Sequence, residues 1–151
     1  MVFTARIDVN MTGIWNTGVQ TLFRTAMHTA CGKLAKEVQL AARADYKSKR
    51  KTTVPPISGS MVFASILYSK PIRVNNNTVK ATVFAGGPSA PHAFYVHEDT
   101  RFRDGRPSPG YFFLITGLKH GKEVAQSIIN NEINKVVTSK TGSGALFSNI
   151  N

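Results

Sequence analysis

IWNTGVQTLFRTAMHTACGKLAKEVQLAARADY, residues 14–46, decides the fold. Trp15, Val19, Leu22, Ala26, Ala30, Leu34, Val38 and Ala41 recur every three or four positions, the spacing of one apolar stripe on an α-helix. One long amphipathic helix is expected from about Ile14 to Tyr46, with Thr12 as a candidate N-cap. Gly18 and Gly32 each cost it up to about 1 kcal/mol relative to alanine, so a bend or a close packing contact is expected where they stand. The run Lys47, Ser48, Lys49, Arg50, Lys51 brings positive charge to the helix C-terminus, which suits the helix dipole, and Pro55-Pro56 is expected to forbid continuation. A basic loop should follow the helix. It is either solvated surface or a contact for DNA or an acidic neighbour.

Toward the N-terminus the period changes to two. Phe3, Ala5, Ile7 and Val9 alternate with Val2, Thr4, Arg6 and Asp8, as in a half-buried strand. Beyond the basic run, Met61–Ser69, Ile72–Val74 and Thr78–Ala85 read as antiparallel strands, the last with Val79, Ala81, Val83 and Ala85 on one face. Asn75, Asn76 and Asn77 tolerate left-handed backbone and predict a tight hairpin turn between the second and third of these strands. Gly86-Gly87-Pro88 and Pro91 end the sheet. Residues 92–100 carry no clear period. Arg101–Gly110, with Arg101, Arg103 and Arg106 among prolines and glycines, reads as an exposed loop.

From about Tyr111 to Thr138, the residues Leu114, Leu118, Ala125, Ile128, Ile129, Ile133, Val136 and Val137 return to helical spacing and predict a second amphipathic helix. The fold class that follows is α+β, an antiparallel sheet packed against a long N-terminal helix and a C-terminal helix. Residues 1–138 form one domain. Residues 139–151 begin with a Gly/Ser-rich hinge and carry Leu146 and Phe147, a pair expected to dock on a neighbouring subunit or ring.

A chain of 151 residues with a 42% hydrophobic and 18% charged composition belongs to the globular class and is long enough for one core. Its apolar runs are too short for a membrane span, and Arg6 and Asp8 break the N-terminal run that a secretory signal needs, so a cytoplasmic protein is expected. Nineteen Lys and Arg against eight Asp and Glu give a net charge of +11, which implies a polyanion or an acidic partner. A lone cysteine, Cys31, excludes an internal disulfide, and its place in the helical stripe predicts a small buried residue.

Catalytic patterns are weak. His92, His97, Glu98 and Asp99, with His120 further on, lack the spacing that locks two metal ligands on one helix face. Gly86-Gly87-Pro88 precedes neither a lysine nor a helix start, so it is no phosphate loop. Neither an enzyme nor a cofactor or metal site is expected. Phe94, Tyr95, Phe102, Tyr111, Phe112 and Phe113 interleave with Arg101, Arg103 and Arg106, a pattern that would suit stacking on single-stranded nucleic acid, although core packing explains most of these rings.

Three local patterns, in order, resemble the tail-completion or head–tail joining family of minor tail proteins in long-tailed bacteriophages. Ser58, Gly59, Met61, Ser65 and Ile66 resemble its threonine-glycine-hydrophobic-serine-isoleucine segment, with one residue more in the spacing. Ala93, Phe94, Tyr95, Val96, His97, Glu98, Asp99 and Thr100 resemble its segment after the hairpin, with His97 where glutamate is usual and Asp99 where glycine is usual. Pro109, Phe112, Phe113 and Leu114 resemble the opening of its last helix. The resemblance spans residues 3–138.

It implies a virion structural protein in the phage neck, assembled in the host cytoplasm as a ring, usually of six subunits. The ring would lie between the head connector or stopper and the tail terminator or tail tube, with DNA passing through its lumen. Lys47, Lys49, Arg50, Lys51, Arg101, Arg103 and Arg106 are the expected DNA-channel or subunit contacts. The alternatives are a tail-terminator ring or a small basic nucleic-acid-binding protein.

Overall fold

The computed structural model describes residues 2–10, 17–50, 56–91, 93–98 and 111–141. In chain order these form β1 (Val2–Asn10), α1 (Thr17–Arg50), α2 (Pro56–Ser65), β2 (Leu67–Tyr68), β3 (Ile72–Asn75), β4 (Thr78–Gly86), α3 (Ala93–Glu98) and α4 (Phe113–Thr141). The architecture is α+β, a four-stranded antiparallel sheet with α1 lying on it and α4 packed along α1 and touching β1.

β4 is the spine of the sheet. β1 pairs with it from Val2 opposite Gly86 to Asn10 opposite Thr78, while β2 and β3 share its other edge, with Leu67 opposite Phe84 and Ile72 opposite Lys80. The period of two is realised: Val79, Ala81, Val83 and Ala85 are buried, and Thr78, Lys80, Thr82 and Phe84 are half-buried on the reverse face. Ala5, opposite Val83, is buried too, whereas Thr4 and Arg6 are exposed. The hairpin turns at Asn76-Asn77, where the Asn77 N–H donates to Asn75 Oδ1 at 2.8 Å, the side-chain bond that makes asparagine a turn residue.

α1 buries Ala26, Ala30, Cys31, Leu34, Ala35, Val38, Ala42 and Tyr46, so the expected stripe is the core-facing one. Cys31 is fully buried against the backbones of β1 and β4, its Sγ 3.9 Å from Ile7 O and Val79 O. A Cβ on Gly32 would lie 3.0 Å from the Pro71 ring, so that glycine marks a close contact. Polar ties fix the helix along its length. Arg24 Nε donates to Asn76 O at 3.0 Å, Gln39 Nε2 and Arg43 Nε donate to Ile66 O at 2.8 and 3.0 Å, and Lys49 Nζ donates to Tyr111 O at 2.6 Å.

Two elements correct the sequence expectation. The basic run is no loop through Arg50, because α1 continues to that residue. Lysine and arginine are good helix formers, the helix dipole favours them at this end, and Lys49 pairs with Asp45 one turn back at 2.8 Å. Met61–Ser69 is not one strand, because α2 occupies Pro56–Ser65 and only Leu67–Tyr68 is extended. Pro56 opens that helix at the first position, where its missing N–H removes no helical bond. Val62 on that helix and Ile66 just after its end, both fully buried, then serve the core. Residues 93–98, without a period in the sequence, form the short helix α3, and the last helix runs from Phe113 to Thr141. Trp15, the start of the first helix before Thr17, and the arm from residue 142 lie outside the described residues.

Candidate interaction surface

Two of the segments that carry the family resemblance, α3 around His97 and the start of α4, meet in one joint, and the segment around Ser65 is tied to the sheet. Ser65 Oγ donates to Val62 O at 2.8 Å and accepts the Gly86 N–H at 3.1 Å, which ties the end of α2 to the end of β4. His97 of α3 is 3% exposed, its ring edge-on to Phe113 with centroids 4.7 Å apart. Its Nε2 accepts the Leu114 N–H at 3.3 Å, and its carbonyl accepts the Phe112 N–H at 3.0 Å. Burial, and the Lys49 ammonium nearby, push the pKa of His97 down to about 4, so the ring is neutral at pH 7. Phe113 packs in turn on Tyr46 at 5.5 Å. Phe112 turns the chain into α4 at φ 46°, a left-handed conformation costing a non-glycine residue about 1–3 kcal/mol, held by its bond to His97. The joint is a structural hub joining α1, the sheet and α4.

On the other side of α4 lies a groove of about 710 Å³, walled by Ile7 of β1, Met27, Leu34 and Val38 of α1, and Ile115, Leu118, Ala125 and Ile129 of α4, with Arg6, Lys119 and Lys122 also lining it. α4 approaches α1 closely through Gly117 and Gly121, where an added Cβ would lie 2.5 Å from Val38 O and Val38 Cγ2 respectively. That contact fixes the crossing, and the larger residues to one side of it leave the groove between α4 and β1. Its lining is apolar with a basic rim, the composition of a site for apolar side chains rather than for chemistry.

The reverse face of the sheet is a second surface. Leu67, Ile72 and Val74 are 43%, 57% and 53% exposed, and Leu67 and Ile72 share that face with Phe84 and Lys80 by register. A shallow cleft of about 340 Å³ on the α1 side is lined by His28, Lys33, Lys36, Tyr68, Lys70 and Pro71. One of its lysines, Lys33, is engaged with Glu132, which Lys135 also holds at 2.8 Å. The two ammonium partners, Lys135 first, keep the Glu132 carboxyl below the usual carboxylate range despite its burial.

The expected contact residues are scattered over these features. Lys47 is exposed on the last turns of α1. Lys49 is half-buried and committed within the chain, to Asp45 and to Tyr111 O. Arg50 is the last residue of α1, and Lys51, Arg101, Arg103, Arg106, Leu146 and Phe147 lie outside the described residues. Of the histidine–carboxylate cluster, His97 is a buried packing residue, His92 and Asp99 lie outside the described residues, and His120 lies 3.9 Å from Glu37 and 4.0 Å from Glu123. Among the described residues no group of three or more His, Cys, Asp or Glu side chains could hold a metal ion. No helix among them is long and apolar enough to cross a membrane.

Sequence reading missed the groove and the basic cleft. The groove is made by residues of three separate elements, each of which reads by itself as ordinary core stripe. The cleft joins Lys33 and Lys36, spaced along one helix, to Tyr68 from an expected strand and Lys70 just beyond it. The chain matches no known family model, no curated protein and no solved structure.

Proposed function

We propose that the protein is a structural subunit of a tailed-phage neck, one that self-associates into a ring, with six copies expected, to complete the tail and join it to the head connector. The reading comes from the resemblance of residues 3–138. The observation that supports it is a sheet whose reverse face presents Leu67 and Ile72 to solvent, beside the exposed Val74, while its other face is packed by helices. An antiparallel sheet covered on one side tolerates such residues where a neighbouring subunit takes the other. The +11 charge of each copy then faces DNA in the lumen or an acidic ring above or below. Native mass spectrometry of the purified chain should give a closed homo-oligomer, and imaging of particles should place it at the neck. A protein that stays monomeric and is absent from the neck overturns the reading.

The basic cleft favours one second reading, a small nucleic-acid-binding protein. Lys36 and Lys70 beside the half-exposed Tyr68 ring match what a phosphodiester and an adjoining base require. A monomer whose DNA affinity falls steeply with salt, and which loses it on Lys36→Ala with Lys70→Ala, would select this reading over the ring.

A further inference from the structure

We propose that the groove between β1, α1 and α4 receives the Leu146–Phe147 pair of a second copy of this chain. The proposal rests on the self-associating reading above and names the two surfaces that meet.

Reach along the chain argues for a second copy. From Thr141, the end of α4, to Leu146 is at most about 17 Å of extended chain. The α4 residues lining the groove run from Ile115 to Ile129 and centre near Gly121, which at the rise of an α-helix lies about 30 Å back along the axis from Thr141. At full stretch the pair comes level only with Ile129, at the near end. The middle of the groove, around Leu118 and Gly121, is therefore served by an arm supplied in trans.

Charge and size select the same occupant. The rim holds Arg6, Lys119 and Lys122, and each copy carries a net +11, so a basic segment would be repelled. Residues 141–151 carry no charged side chain, and their Leu-Phe pair enters an apolar cavity of about 710 Å³ without stripping water from a charge. Each of the two side chains supplies roughly a tenfold to hundredfold factor in affinity before the arm's ordering cost.

The test uses three full-length proteins and sedimentation across micromolar concentrations. L146D/F147D disables the arm and leaves the groove intact. I115K charges the groove wall and leaves the arm intact; Ile115 is 44% exposed, so this variant should melt where the wild type does. The wild type should associate, each variant alone should associate at least about a hundredfold more weakly, and an equimolar mixture should give a heterodimer, because one good arm then finds one good groove. If the wild type associates and both variants do so equally well, the arm–groove contact is overturned while the ring reading stands. Two monomeric variants that fail to pair when mixed also overturn it. A wild type that is monomeric throughout overturns both the contact and the ring.

Discussion

The two flanks of α4 are built from one helix and do opposite things. On the flank facing α1, Gly117 and Gly121 let Val38 approach so closely that no Cβ fits, and at the head of the helix Phe113 and Leu114 are buried with Tyr46 and His97. On the flank facing β1, Ile115, Leu118 and Ile129 line a groove they do not fill. The helical period alone makes both flanks apolar. What separates them is side-chain size: glycine at the crossing lets α4 close onto α1, and the larger Ile115, Leu118 and Ile129 line the groove beside it. The close-packed flank stabilises the fold, and the open flank is the one we propose a second copy covers.

The largest effect should come from the packed end. Phe113 is fully buried against Tyr46 and His97, so Phe113→Ala should cost about 3–5 kcal/mol in urea unfolding, the range for a truncated core aromatic. A cost near that of a surface change would show that the joint is not the stable end of the molecule.

The joint should also give the protein a pH-dependent stability. His97 has its folded pKa depressed to about 4, against about 6.5 unfolded, so between these values the unfolded chain binds the extra proton. The stability is fully present above pH 6.5 and is lost as pH falls toward 4, by an amount on the order of 3 kcal/mol. Glu132, held below the carboxylate range by Lys135 and Lys33, contributes in the same direction at lower pH still. Denaturant unfolding at pH 7 and pH 4.5 should differ accordingly, and His97→Gln, which keeps a neutral acceptor for the Leu114 N–H, should flatten the slope above pH 4.5. An equally steep slope in that variant would assign the effect to other groups.

The close crossing should be intolerant of a single methyl. In Gly117→Ala the new Cβ meets the Val38 carbonyl, which belongs to a helix backbone and cannot rotate aside, so the helices must separate, at a cost of about 1–3 kcal/mol. The helix propensity gained from alanine, up to about 1 kcal/mol, offsets only part of this. A stabilised variant would mean that α4 can slide into the groove and fill it.

How far this contrast was legible in the sequence depends on what kind of information each feature needs. The stripe of α1 and the alternation in β4 are periods within one element, and both are realised: Leu34, Val38, Val79 and Val83 are buried where their spacing puts them. Residues 61–66 mislead because the short apolar run Met61, Val62, Phe63, Ala64, interrupted only by Ser65 before Ile66, fits a buried strand as well as a buried helix, and Pro56, which reads as a stop, is a start. The extra turn of α1 rests on the Asp45–Lys49 pair, a local signal that the density of positive charge obscured. α3 is too short to show a period. The groove was out of reach altogether, since it depends on how far two helices and a strand stand apart, and that distance is set at Gly117 and Gly121 by contacts with Val38, far away in sequence.

The smallest effect should be found on the open flank. Ile115 lies two positions after Phe113 on the same helix, yet it is 44% exposed and faces the groove. Truncating it removes side-chain surface that already meets water and creates no new enclosed cavity, so the lost transfer energy is small. Alanine is also the better helix former at that position. Ile115→Ala should therefore change the folding stability of the isolated chain by no more than about 0.5 kcal/mol, the ordinary range for a surface substitution. Measured beside Phe113→Ala in the same urea series, it tests the contrast directly. A loss of 2 kcal/mol or more by ordinary core standards would show that the groove wall is tightly packed in solution, and that α4 closes on β1 without a partner.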